Sequence, residues 1–169
     1  MSSLPPGTAN HAPGQPLSTA LRRIVLDAVT EAQRRNAALV EAEHLLLALT
    51  AADDSPARRV LSEAGLDTAG VESALAQERA RSLRAVGCDP DAVEPVITAP
   101  RVTRPRWGAS AKDALIRANR AAGAQRRQRS TDIDLLVGLF ALELGTLPRA
   151  LELAGTDCQG IVATALRIH

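Results

Sequence analysis

Two residues supply all the aromatic side chains of this 169-residue chain, Trp107 and Phe140, and tyrosine is absent. A core built without aromatics must draw on alanine, leucine and valine. Alanine, leucine and the plentiful Arg, Gln and Glu favour helix, whereas strands recruit β-branched and aromatic residues. Cysteine is scarce too. Cys88 and Cys158 lie far apart, without CxxC or Cys/His spacing, so neither a disulfide framework nor a metal site is indicated and a reducing cytoplasm is expected. The net charge is only +1, which gives no overall attraction to nucleic acid or anionic lipid. Neither is expected as a partner. Residues Met1 to Pro16 are rich in Ser, Gly, Pro, Ala and Asn and lack a basic segment followed by an apolar one. They read as a disordered leader, neither signal peptide nor membrane anchor. No G-x-x-x-x-G-K-[ST] loop occurs, which excludes nucleotide hydrolysis of the P-loop type, and H-E-x-x-H and G-x-S-x-G are missing as well.

What is present is a repeat. Sliding the chain by 90 residues aligns Leu17–Arg79 with Trp107–His169 without a gap, and 12 of those 63 positions are identical. The identities cluster. Leu45, Leu46 and Leu49 match Leu135, Leu136 and Leu139, and at one fixed distance Arg59, Leu61, Ala64, Gly65 and Asp67 match Arg149, Leu151, Ala154, Gly155 and Asp157. Both halves carry L-L-x-x-L followed by R-x-L-x-x-A-G-x-D.

Each half reads as four helices. Ser18 caps the first, which sets Leu21, Ile24, Val25, Ala28 and Ala32 on one face and fades near Asn36. The second starts at Ala42, with Glu41 and Glu43 at its positive end. Asp53 to Pro56 break it, and Ser55-Pro56 supply an N-cap and a first-turn proline for the third, which Gly65 stops. Asp67 caps a fourth helix reaching about Arg84. The second half repeats the plan, with helices after Gly108, from Asp132, after Gly145 and from Asp157, and a stop at Gly155. No segment alternates with period two. Between the halves, residues 86–106 hold Pro90, Pro95, Pro100 and Pro105 and read as an extended connector. Four helices this poor in aromatics bury little surface alone, so repeat 1 (17–85) and repeat 2 (107–169) are expected to pack on each other about a pseudo-two-fold axis.

Leu17-Ser18, Glu43-His44-Leu45-Leu46-Leu47-Ala48-Leu49, Ala57-Arg58-Arg59-Val60-Leu61 and Ala64-Gly65-Leu66-Asp67 resemble the Clp N-domain, the double repeat at the front of ClpA- and ClpC-type unfoldases. Its pattern is roughly F-T-x-x-A, G-T-E-H-L-L-L-G-L and A-A-x-x-L-x-x-L-G-V-D, twice. The second repeat is eroded, with Thr131-Asp132-Ile133-Asp134 in place of G-T-E-H. The resemblance implies an all-α fold of eight helices in two pseudosymmetric four-helix repeats. It also implies a non-catalytic module, here without its motor, that binds peptides, adaptors or substrates of a Clp unfoldase, either feeding the motor or acting as a decoy. No cofactor and a monomer are expected.

In ClpC-type members each repeat can hold a phosphorylated arginine, the glutamate of G-T-E-H gripping the guanidinium and the threonine of F-T assisting at the phosphate. Carried over, the first site uses Ser18 and Glu43. The second falls on Gly108 and Ile133, which supply neither group, so phosphoarginine binding is expected at one site or none. The family's cyclic-peptide antibiotics sit near positions matching Trp107 and Lys112, while a glutamate nearby is replaced by Ile116.

Blander roles stand beside these. Glu43 can simply favour the helix dipole, His44 can be a core residue, and Trp107 can cover the connector junction. The run Arg126-Arg127-Gln128-Arg129 reads as a solvated loop, not a phosphate contact. From another class, a small helical enzyme using Glu41, Glu43 and His44 stays open, though no substrate class can be named for it.

Overall fold

A computed structural model describes residues 16–92 and 100–168. The expected leader and the middle of the connector therefore lie largely outside the described residues, as does His169.

The described residues form α1 (Thr19–Arg34), β1 (Leu39–Val40), α2 (Ala42–Ala51), α3 (Pro56–Glu63), α4 (Thr68–Ala85), β2 (Arg106–Trp107), α5 (Ala109–Ala124), α6 (Asp132–Phe140), α7 (Thr146–Leu153) and α8 (Cys158–Arg167). The punctuation is local chemistry. The hydroxyl of Ser18 accepts the Leu21 N–H, Ser55 accepts from Arg58 ahead of Pro56, and Asp67 and Asp157 accept from Gly70 and Gly160. At the ends of α3 and α7, Gly65 (φ 76°) and Gly155 (φ 67°) take the left-handed conformation that a side chain resists. The N–H of Leu66 then reaches back to the carbonyl of Leu61, and that of Thr156 to Leu151, a Schellman closure made identically in both halves.

The leucine stripes meet at the centre. Leu45, Leu46, Leu49, Leu135, Leu136 and Leu139 are fully buried in one continuous core. Alanines let the helices approach closely. Gly138 of α6 lies against the backbone of α5, where an added Cβ would stand 2.8 Å from the Ala118 nitrogen.

The repeats exchange equivalent contacts. α4 packs on α7 as α3 packs on α8, and α1 on α6 as α5 on α2. Two short parallel pairings follow the same rule. Leu17 bridges Ser130, and Val40 pairs with Trp107, residues interchanged by the 90-residue shift. Each repeat thus lays the segment before its first helix beside the other's segment before its second. These pairings have no counterpart in the period-two reading, because two residues of strand are too short to show a period.

Candidate ligand site at the boundary between the repeats

α2 presents Glu41, Glu43 and His44 at its N-terminus, and each has a different fate. The backbone N–H of Glu41 donates to Nδ1 of His44 at 2.9 Å, closing a capping box in which the imidazole takes the usual glutamate's place. His44 is buried, and burial first, then the Arg35 charge, lowers its pKa below the ordinary 6.5. It is a neutral acceptor within the fold.

The Glu41 carboxylate crosses to the other repeat. It accepts the Ser110 N–H at 3.1 Å and the Ser110 hydroxyl, while that hydroxyl accepts the Ala42 N–H at 2.8 Å. The first turns of α2 and α5 are thereby clasped. Gly108 makes room, because a Cβ there would overlap the Glu41 carboxylate. At the related place Ser18 caps α1 with its own hydroxyl, and Thr131, the counterpart of Glu41, caps α6. One half lacks a hydroxyl at Gly108, and the other carries the Glu41 carboxylate in that space.

Glu43 is left over. It is half-buried and, among the described residues, makes no ion pair. Burial raises its pKa above the ordinary 4.5 and outweighs the hydrogen bond from its own backbone and the more distant Arg35 charge, which lower it, while the carboxylates of Glu41 and Glu78 push with burial. It lines two clefts. One, of about 430 Å³, is shared with Glu41, Ser110, Asp113, Leu144 and Thr146. The other, of about 880 Å³, runs between α2, α4 and α7 and is crossed by Glu78–Arg149 at 2.9 Å. A carboxylate held partly out of water with no ion pair among the described residues is chemically a cation acceptor.

The other sequence candidates lie elsewhere. Ser18 donates its N–H to the Ser130 carbonyl at 2.9 Å and lines neither cleft that holds Glu43. Trp107 is half-buried against the core, and Lys112 is exposed one turn along α5. Neither lines those two clefts. Ile116 is 41% exposed one turn beyond Lys112. Residues 131–134 are spent on the fold. Asp132 accepts from Ser55 and from the Ala57 N–H, and Asp134 is ion-paired with Arg127. Arg126, at φ 55°, copies the turn of Asn36 at φ 52°, so the basic run is largely loop architecture. Sequence reasoning missed the role of Glu41. The signal was the pair of substitutions, Gly108 against Ser18 and Glu41 against Thr131.

Residues 16–101 match the model of the Clp repeat (R) N-terminal domain family. The chaperone protein ClpB of Propionibacterium freudenreichii subsp. shermanii is 40% identical over 75 residues, 44% of this chain and 8% of that protein. The chain thus matches only a small part of that relative's length. Among solved structures, the N-terminal domain of the ClpD chaperone from Arabidopsis thaliana superposes with a TM-score of 0.65 at 20% identity, covering 94% of this chain and 97% of that one. The Hsp104 N-terminal domain from Candida albicans gives 0.64 at 14% identity, covering 91% of each. These likenesses carry the fold. The family model spans half the chain and coincides with the better-kept repeat, and the chain belongs to the Clp repeat N-terminal domain family.

Proposed function

We propose that this chain is a non-catalytic, Clp-associated binding module whose ligand is a peptide segment of a substrate or adaptor protein, gripped through a cationic side chain by Glu43. One observation carries the reading: a half-buried carboxylate without an ion-pair partner stands where two clefts meet between the repeats. A guanidinium offers it paired, charge-assisted hydrogen bonds. The family relationship supplies the Clp context, in which the module feeds a motor or withholds ligands from it.

The same geometry argues for an unmodified guanidinium over a phosphorylated one. A phosphate would seek the free N–H groups at the start of α5. There the Glu41 carboxylate already accepts from Ser110, and Glu43 and Asp113 add like charge. Against the enzymatic alternative, Glu41 and His44 are both committed to capping contacts, which leaves Glu43 without a proton-transfer partner from that trio.

Trp107, half-buried with exposed Lys112 close by in the chain, supports a second reading, sequestration of cyclic-peptide antibiotics, against which stands Ile116 in place of the family's glutamate. Calorimetric titration separates the two. Arginine, phosphoarginine and cyclic-peptide ligands are compared on wild type, Glu43→Ala and Trp107→Ala. Loss of arginine-peptide binding in Glu43→Ala alone is the expected result. Loss only of cyclic-peptide binding, and only in Trp107→Ala, would establish the second reading instead. If none of the ligands binds wild type, both readings fail.

A further inference from the structure

No acidic residue occurs between Glu94 and Asp113, and within that interval Arg101, Arg104 and Arg106 lead into α5. All three are exposed, and among the described residues none makes an ion pair. They are held in place. The Val102 N–H donates to Oδ1 of Asn36 at 2.6 Å, Nε2 of Gln33 donates to the Thr103 carbonyl at 2.6 Å, and the Arg106 N–H donates to the Ala38 carbonyl at 3.0 Å. The end of the connector is thus strapped along the last turn of α1 and the loop after it. Arg34, in that last turn, brings a fourth exposed guanidinium, whose one ion pair is a 3.4 Å contact with Glu31, a carboxylate that also serves Arg35. From Arg104 to Trp107 exposure alternates, so Arg104 and Arg106 share the outer side, about 7 Å apart along an extended backbone. Like charges fixed beside one another without a counter-charge repel, and an anionic ligand relieves that cost.

We propose that this arginine strip is an anion-binding surface for an acidic segment of a partner protein, extended where it binds and carrying carboxylates at alternate positions. The strip is separate from the cation grip of Glu43 and works without it. Alternate side chains of an extended segment recur at the interval that separates Arg104 from Arg106, and each guanidinium can take a carboxylate through paired hydrogen bonds. Because three hydrogen bonds fix the strip beforehand, little ordering is left to oppose docking. The chemistry favours carboxylates over a nucleic acid. The strip offers no free aromatic ring for a base to stack on, since Trp107 packs against the core. Asp27 and Glu31 share α1 with Arg34, and the net charge is only +1, so a long polyanion running past the strip meets acidic surface.

The test is fluorescence anisotropy with a labelled Glu-Ser-Glu-Ser-Glu peptide and its glutamine analogue, on wild type, Arg104→Gln/Arg106→Gln and Arg81→Gln/Arg84→Gln. Arg81 and Arg84 are exposed on α4, so the second double variant removes the same charge elsewhere. Circular dichroism checks that both variants fold. The acidic peptide is expected to lose about tenfold in affinity in Arg104→Gln/Arg106→Gln, on the scale of two exposed charge pairs, and to bind more weakly as salt rises. The α4 variant should keep wild-type affinity, and the glutamine analogue should bind none of the proteins measurably. Equal losses in the two double variants would reduce the effect to net charge and refute the strip. Wild-type affinity in Arg104→Gln/Arg106→Gln, equal binding of the glutamine analogue, or no binding of the acidic peptide to wild type would each refute it as well. A DNA duplex that outcompetes the peptide and loses its affinity with the same two arginines would make the strip a nucleic-acid surface and overturn the proposal.

Discussion

Gly108→Ala tests the clasp between the repeats through a single methyl group. The backbone at Gly108 (φ −79°) suits alanine, so the change introduces no backbone strain, but alanine is a poorer N-cap than glycine and costs about 1 kcal/mol there by itself. The added Cβ would occupy the space of the Glu41 carboxylate. That carboxylate ends a flexible side chain, so it swings away and the helices stay in place. What is lost is its pair of hydrogen bonds from Ser110. A hydrogen bond to a charged group contributes about 1.5–3 kcal/mol, and half-exposure discounts the pair to roughly 1–3 kcal/mol together. Glu41→Ala should lose the same pair of hydrogen bonds by the other route, without the N-cap cost at position 108. Urea unfolding followed by far-ultraviolet circular dichroism measures both and their combination. Because both remove the same interaction and only Gly108→Ala adds the N-cap cost, the double variant should lose little more than Gly108→Ala alone. Additive losses, or a neutral Gly108→Ala, would refute the clasp.

Other perturbations probe separate parts of the molecule. Gly138→Ala ought to destabilise by about 1–3 kcal/mol through overpacking, despite alanine's better helix propensity, because its Cβ meets rigid backbone of α5. Exposed Gly123→Ala in α5 is the control and should stabilise slightly, and equal melting shifts in the two would contradict the close approach. His44 has a lowered pKa, so its stabilising contribution is complete above the ordinary 6.5 and is lost as pH falls through the folded-state value. His44→Gln keeps an acceptor for the Glu41 N–H and should flatten that acid limb of the stability profile; an unchanged slope would show that the imidazole stays unlinked to folding.

Much of this fold was legible because its signals are local. The leucine stripes, Ser55-Pro56, the Gly65 and Gly155 stops and the caps at Ser18, Asp67 and Asp157 each act within a few residues, and they bound most of the helices among the described residues. The contacts that build the site span far greater separations. Glu41 meets Ser110 across 69 residues, and Asp132 meets Ser55 across 77. No periodicity announces such a pair. Glu43 could be named from its position in the family pattern, yet its surroundings could not, because the cleft is walled by α4, α5 and α7 together. Ser18 and Glu43 belong to one repeat in sequence, whereas each faces the other repeat in space.

The most direct test of Glu43 as a cation grip is the affinity of an arginine-bearing peptide for wild type and for Glu43→Gln, measured by calorimetry at neutral pH. Glutamine keeps the shape and removes the charge. A loss of about tenfold or more, together with weaker wild-type binding as acid protonates a carboxyl whose pKa is already raised, is the expected result. Equal affinity in the two proteins, or no binding to wild type, would contradict it.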